Sequence, residues 1–222
     1  DYLNAAEDNA DGTVTVTTLN AADSSTVTVT GMGVTDTCSV DTNSCAATIE
    51  GAHLRALSDG TTYTITVALS ADAAGNTATS DTGDTFVYDI TAPGISLTAS
   101  QVSTGGSYNA AISVTAPFDE SMTGIADGEV TASGCSLSTL AGRGAVYTTT
   151  CTPSSDGLVT ISVAASVGTD AAGNANTAAT DFTYTYDSAS PSATITSSAS
   201  DPTNGATIEV TITFGQSVTG LI

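Results

Sequence analysis

The pentapeptide Asp72-Ala73-Ala74-Gly75-Asn76 returns 98 residues later as Asp170-Ala171-Ala172-Gly173-Asn174, and no other feature limits the possible folds so strongly. Its surroundings return with it. Each copy follows a run in which apolar residues alternate with Thr or Ser. Each precedes an aromatic strand ending in Tyr-Asp (Tyr88-Asp89, Tyr186-Asp187) and then a proline (Pro93, Pro191), again at intervals of 98. A further register, Phe118 and Met122-Thr123-Gly124 against Phe214 and Val218-Thr219-Gly220, has an interval of 96. Solenoid units are about 20–50 residues long, whereas this period is close to the ~100 residues of one β-sandwich. The chain therefore reads as a row of like domains, at 1–90, 91–188 and an incomplete 189–222. Its function must be one that a row can perform.

The alternation fixes the class as all-β. Thr13-Val14-Thr15-Val16-Thr17 and Ser25-Thr26-Val27-Thr28-Val29-Thr30 have period two, which turns Val towards a core and Thr towards water. Tyr63, Ile65, Val67 and Leu69 continue the pattern, followed by Phe86 and Tyr88. In the second repeat Ile95, Leu97, Ile112 and Val114 precede Val159, Ile161 and Val163, and Phe182, Tyr184 and Tyr186 close it. Only Ala52-His53-Leu54-Arg55-Ala56-Leu57 has a helical character, of a turn or two. The linkers through Pro93 and Pro191 are short and lose a donor and φ freedom at proline, so they read as stiff.

Residues 192–222 hold Ala193-Thr194-Ile195 and a strand with Ile208, Val210, Ile212 and Phe214. Two strands do not bury such a face by themselves. Either the polypeptide continues, or these strands complete a sheet against an identical subunit. Residue 1 already lies inside a motif, so the missing signal peptide carries no information.

Charge excludes whole classes of partner. There are 23 acidic residues against Arg55 and Arg143, with no lysine. Such a surface repels phosphate, which argues against nucleic acid and bare anionic membrane, and it attracts cations. No apolar run approaches the length of a membrane span. Hydrophobic residues make up 40% of the chain, and their alternation sets disorder aside.

Cys38 and Cys45 flank a short polar loop, and Cys135 and Cys151 flank Gly142-Arg143-Gly144, read as a hairpin turn. Both pairs would then face each other across antiparallel hairpins, the setting of disulfides and of an oxidising compartment. Zinc is the rival, but it needs further ligands, and His53 cannot serve both pairs.

These residues together resemble the bacterial Ig-like domains strung in tandem along large secreted adhesins, including RTX-type adhesins. In the first repeat the resemblance rests on Asp1-Tyr2-Leu3-Asn4-Ala5-Ala6-Glu7, Leu54-Arg55-Ala56-Leu57-Ser58-Asp59-Gly60-Thr61-Thr62-Tyr63-Thr64, the 72–76 turn and the segment 89–93. In the second it rests on Phe118-Asp119-Glu120-Ser121-Met122-Thr123-Gly124, the segment 147–153, the 170–174 turn and the start at Pro191. The cysteines depart from the pattern, as does Gln216 where an acidic residue is common. The resemblance implies extracellular, bacterial cell-surface Greek-key sandwiches in an extended array, commonly stiffened by calcium, with neighbouring repeats of the same chain as partners. A surface-layer or filament subunit is the alternative function, with 192–222 adding strands to the next subunit.

In such a sandwich the turn before the last strand and the turn after the second strand lie at the end where the linker arrives. Asp89, Asp119, Glu120, Asp170 and the side-chain oxygen of Asn174 then converge on one spot between domains. That is an oxygen-only set suited to Ca2+. Asp72 and Asn76, with Asp1 or Glu7, form the equivalent set of the first repeat. The plainer reading makes these Asp and Asn residues turn formers that bond nearby backbone. Catalysis has little material: His53 is alone and without a spaced Ser or Asp partner. There is no Trp to make a sugar platform beside paired carboxylates, and the glycines mark turns rather than a phosphate cradle. The expectation is a non-enzymatic protein.

Overall fold

Val27 and Val29 show the alternation at work: they are 0% and 1% exposed, while Thr26 between solvent and sheet is exposed. A computed structural model describes residues 1–4, 6, 7, 11–17, 25–70, 76, 81–199 and 206–220. Apart from one helical turn, the regular secondary structure of the described residues is all strand. In order come β1 (Tyr2–Leu3), β2 (Gly12–Thr17), β3 (Thr26–Gly31), β4 (Val34–Ser39), β5 (Ser44–Ile49), a single turn α1 (Gly51–Leu54), β6 (Thr61–Leu69) and β7 (Asp81–Tyr88). They are followed by β8 (Thr98–Ala99), β9 (Ser107–Tyr108), β10 (Ile112–Met122), β11 (Val130–Ser133), β12 (Cys135–Leu137), β13 (Ala141–Pro153), β14 (Gly157–Val163) and β15 (Phe182–Tyr186). The last two are β16 (Ala193–Ser197) and β17 (Val210–Phe214).

These strands build separate cores. Val27, Val29, Val40, Cys45 and Ala47 form one, between the sheet β1-β7-β6-β3-β4 and the pair β2-β5. Leu97, Ile112, Val114, Phe118, Val159, Ile161, Phe182 and Tyr184 belong to the other, between β12-β13-β10-β8 and β11-β14-β15-β9. No interior is shared across residues 1–187 among these buried clusters. In both repeats a two-residue strand pairs in parallel with the closing strand: β1 with β7 (Tyr2 opposite Val87) and β9 with β15 (Ser107 opposite Thr185). That pairing sets β1 and β9 each beside the linker that leaves its repeat.

Four details differ from the sequence reading. Cys38 and Cys45 do not face each other within one ladder, because β4 pairs with β3 whereas β5 pairs with β2. Their disulfide, with Cα atoms 5.7 Å apart, therefore ties two sheets together. Cys135 and Cys151 are also bonded, but diagonally, since Cys135 stands opposite Pro153 and Leu137 opposite Cys151. Gly142 and Gly144 form no hairpin turn. They lie inside β13 at φ of 112° and 65°, where its register with β10 shifts between Pro117 and Met122. Lastly, Phe118–Gly124 is not a turn up to Met122: β10 runs straight through, and Glu120 projects from a strand. A strand position is a firmer mounting for Glu120 than the expected loop.

Candidate site at the junction of the repeats

Asp170 shows why the sequence Asp-Ala-Ala-Gly-Asn folds as it does. Its Oδ1 accepts the Gly173 and Asn174 N–H groups at 2.6 and 2.8 Å, and the Asp170 N–H donates to Asn174 O at 3.1 Å. Gly173 takes φ of 98°, which a residue with a Cβ rarely adopts. The turn closes on itself and buries Asp170 to 3% exposure and Asn174 to 8%. So the plain turn-forming role is real.

The same turn also faces the preceding linker. Asn174 Nδ2 donates to Asp89 O at 2.8 Å and to Asp170 Oδ2 at 3.0 Å, with a longer contact of 3.4 Å to Asp89 Oδ1. Glu120 reaches in from β10. One oxygen each from Asp89, Glu120 and Asp170 lies within 4.8 Å of the others. Burial raises the Glu120 carboxyl above its usual value, and the charges of Asp170, Asp89, Asp119 and Asp59 push the same way. Asp89 is raised too, first by burial and then by Asp170 and Asp59, against the lowering by the Thr91 N–H. Asp89 and Glu120 thus hold their protons more readily than free carboxyls, because burial and neighbouring charge both oppose ionisation.

The remaining sequence candidates fall elsewhere. Asp119 is exposed and accepts the Gly94 N–H at 2.9 Å, outside the cluster. Asn174 presents its amide nitrogen, not its oxygen, to the carboxylates. Asp72 lies outside the described residues, and Asn76 is exposed. Of its expected companions, Asp1 uses its backbone carbonyl to accept the Val87 N–H, and Glu7 accepts the Asn4 N–H. His53 is exposed on α1.

Sequence reasoning missed the groups that set the junction. Asn4 Nδ2 donates to Ala172 O at 2.7 Å, so the first repeat holds the second repeat's turn directly. Thr177 donates its N–H and hydroxyl to Pro93 O at 2.9 and 3.2 Å. Asp59 accepts the Ile90 N–H at 2.8 Å and a very short bond from the Thr91 hydroxyl. Those bonds lower its pKa, the Thr91 hydroxyl most. Asp156 accepts the N–H and hydroxyl of Ser188 in the same way. The repeat comparison held the clue, because both Asp59 with Thr91 and Asp156 with Ser188 recur at an interval of 97 (59 to 156, 91 to 188). Asn176, 2% exposed, accepts the Val167 and Gly168 N–H groups and donates to Ala164 O and Thr177 O, which pins the loop beneath the turn.

Compared with protein families, residues 89–186 match the model of the bacterial Ig-like domain, from the Asp89 of the cluster to the end of β15. This segment is similar to that domain over its whole length. No curated protein matches the chain. Among the solved structures similar to this chain are two adhesins. One comes from a 1.5-MDa bacterial ice-binding adhesin studied for host cell surface retention, at 24% identity, 89% of this chain, 64% of that chain and a TM-score of 0.49. The other is a Ca2+-stabilised adhesin that helps an Antarctic bacterium reach out and bind ice, at 24% identity, 90% of this chain, 50% of that one and a TM-score of 0.41. The chain thus spans no more than 64% of either solved chain. Within the Ig-like domain Asp170 and Glu120 come from the loop after β14 and from β10, and Asp89 is its leading residue.

Proposed function

We propose that this chain is a non-enzymatic, extracellular extender segment of a bacterial surface adhesin, and that calcium stiffens the junction between its first repeat and its Ig-like domain. The observation that carries the reading is the convergence of Asp89, Glu120 and Asp170 on one spot. Asp89 continues β7 and is bonded to Leu3 of the first repeat, while Glu120 and Asp170 belong to elements of the following domain. An ion held by all three fixes the angle between the two bodies.

The residues present fit such an ion. The donors are hard oxygens only, one from each of three carboxylates, and neither arginine is among them. Bound calcium supplies the positive charge that offsets their mutual repulsion. Asn174 keeps its amide nitrogen on Asp89 O and Asp170 Oδ2, and so orients two of the three carboxylate residues. Asp119 keeps its place on the Gly94 N–H and shapes the linker. The cost of crowding the carboxylates is what makes the response conditional on calcium.

The test is a calcium titration of the folded chain. Sites in extracellular modules bind at roughly 10⁻⁴–10⁻³ M, so about 10 mM calcium stabilises the folded state by about 1.4–2.7 kcal/mol through mass action. Glu120→Gln removes one carboxylate and its repulsion. It should leave the chelated chain as stable as before or slightly more so, and abolish most of the calcium response. A Glu120→Gln chain that responds to calcium like the wild type would put the ion elsewhere.

A further inference from the structure

The hydroxyl of Tyr184 is buried in the core of the second repeat with a sulfur for its partner. Tyr184 and Cys151 are both 0% exposed. The hydroxyl oxygen lies 3.6 Å from Cys151 Sγ, and among the described residues no oxygen or nitrogen bonds it. A disulfide sulfur carries no proton, so the tyrosine is the donor and the sulfur the acceptor. Buried tyrosine hydroxyls ordinarily find a stronger acceptor than that. Tyr184 stands on β15 and Cys151 on β13, in opposite sheets, so the contact crosses the sandwich. The first repeat has Phe86 where the second has Tyr184, at the interval of 98, and among the described residues no hydroxyl is bonded to its disulfide.

The two sulfurs of this bridge are unequally placed. Cys135 is half-buried on β12, the edge strand of its sheet, whereas Cys151 lies on β13 between β12 and β10. A thiolate arriving from solvent therefore meets Cys135 Sγ and finds Cys151 Sγ behind it. Thiol–disulfide exchange requires attack on one sulfur and departure of the other as a thiolate. In an apolar core that departure is disfavoured, because burial opposes ionisation of a thiol. Tyr184 offsets this. Its neutral O–H turns a weak contact with a disulfide into a charge-assisted hydrogen bond with a thiolate. Burial first, and then Tyr186, raise the Tyr184 pKa, so the phenol keeps its proton while an external thiol ionises.

We propose that Cys135 is a site of reversible thiolation by small external thiols, with Cys151 as the internal resolving thiol and Tyr184 as the donor that stabilises it. In the forward step the incoming thiolate bonds to Cys135 Sγ, the bond between Cys135 and Cys151 breaks, and its electron pair leaves on Cys151 Sγ. The Tyr184 hydroxyl donates to that sulfur and keeps its own proton. In the reverse step the Cys151 thiolate attacks Cys135 Sγ and expels the external thiolate. No net oxidation occurs, and no further reactant is needed. The staple reopens and recloses on the same partner, because Cys151 stays held in the core. Half-burial of Cys135 admits a small thiol rather than the thiol of a folded protein. The inference draws on neither the extender reading nor the carboxylates of the junction.

The test incubates the full chain with glutathione, quenches in acid and maps the adducts by mass spectrometry. Glutathione should be found on Cys135 and not on Cys151. Tyr184→Phe should lower the rate and extent of adduct formation at Cys135 about tenfold, the low end for a hydrogen bond to a charged group. Exchange at Cys38–Cys45, in the same chain, should be unchanged. Phenylalanine already occupies the equivalent position of the first repeat, so the variant carries a side chain that the fold accommodates. A purely structural role for the hydroxyl gives the opposite sign, since a loosened core exposes the bridge and speeds exchange. Glutathione on Cys151, no adduct on Cys135, or a Tyr184→Phe rate at or above that of the wild type overturns the proposal. So does an equal slowing at Cys38–Cys45. Should the variant not fold, the distribution of glutathione between Cys135 and Cys151 in the wild type decides the proposal by itself.

Discussion

Asn176 carries more of the junction's architecture than any of the charged residues around it. It is uncharged and buried, and each end of its amide serves two backbone groups of the loop between β14 and β15. Asn176→Ala strands those groups, at a cost of about 3 kcal/mol. Thermal unfolding should show this as a fall confined to the transition of the Ig-like domain. A variant that melts with the wild type would mean that water replaces all four bonds. The carboxylates obey the opposite logic. Asp89 and Glu120 are raised in the folded chain, so their contribution is fully present below their unfolded values and is lost as pH rises through the folded ones. Asp59 is lowered by Thr91 and Ile90, so its contribution holds above its unfolded value and is lost on strong acidification. In chelator, the melting temperature should therefore rise as pH falls from neutral towards the unfolded carboxylate values of about 4, and fall on further acidification as Asp59 is protonated. Calcium reverses the upper part, since protons then compete with the ion. A chelated profile that only falls on acidification would contradict this balance.

Among the elements, the two disulfides do different work although the sequence makes them look alike. Cys38–Cys45 joins a sheet edge to the facing pair β2-β5, whereas Cys135–Cys151 staples neighbouring strands of one sheet. Their separations are 7 and 16 residues. Loop entropy gives about 2.4 kcal/mol for the shorter and about 3 kcal/mol for the longer. Replacing each pair by alanine should lower only the transition of the repeat that carries it, measured by calorimetry, with the larger fall for Cys135–Cys151. An equal or larger fall for Cys38–Cys45 would show that the tie between sheets outweighs loop length. How far these elements could be read in advance follows from the physics of each signal. Period-two alternation is local, so β3, β6 and β14 were legible, with Val27 and Ile161 correctly inside. Which sheet a strand joins is decided by distant partners, and nothing in Val34–Ser39 says that β4 pairs with β3 and leaves β5 to β2. The glycines at 142 and 144 mark positive φ, and a bulge needs that as much as a turn does. At the site, the recurrence of Asp170 and Asp89 pointed to the right end of the domain. Asn4 escaped because its partner lies 168 residues away.

The molecule as a whole is governed by how its junctions are made. Each linker is gripped by an aspartate of the preceding repeat, Asp59 or Asp156, and β1 and β9 each lie against the strand that ends in the linker. The first junction adds direct bonds from Asn4 and Asn174 and the three clustered carboxylates. With 23 acidic residues against two arginines, repulsion between neighbouring bodies favours separation, and the cation proposed at the join would turn separation into a defined direction. The central claim is thus mechanical: calcium at Asp89, Glu120 and Asp170 fixes the angle between the first repeat and the Ig-like domain. The most direct measurement is the distance distribution between a probe at Ala56 and another at Ser154, both exposed, attached through unnatural amino acids so that the disulfides stay intact. The account predicts one narrow distance in about 10 mM calcium, a broader distribution in chelator, and a broad one in both conditions for Glu120→Gln. A wild-type distribution of the same width with and without calcium would contradict it.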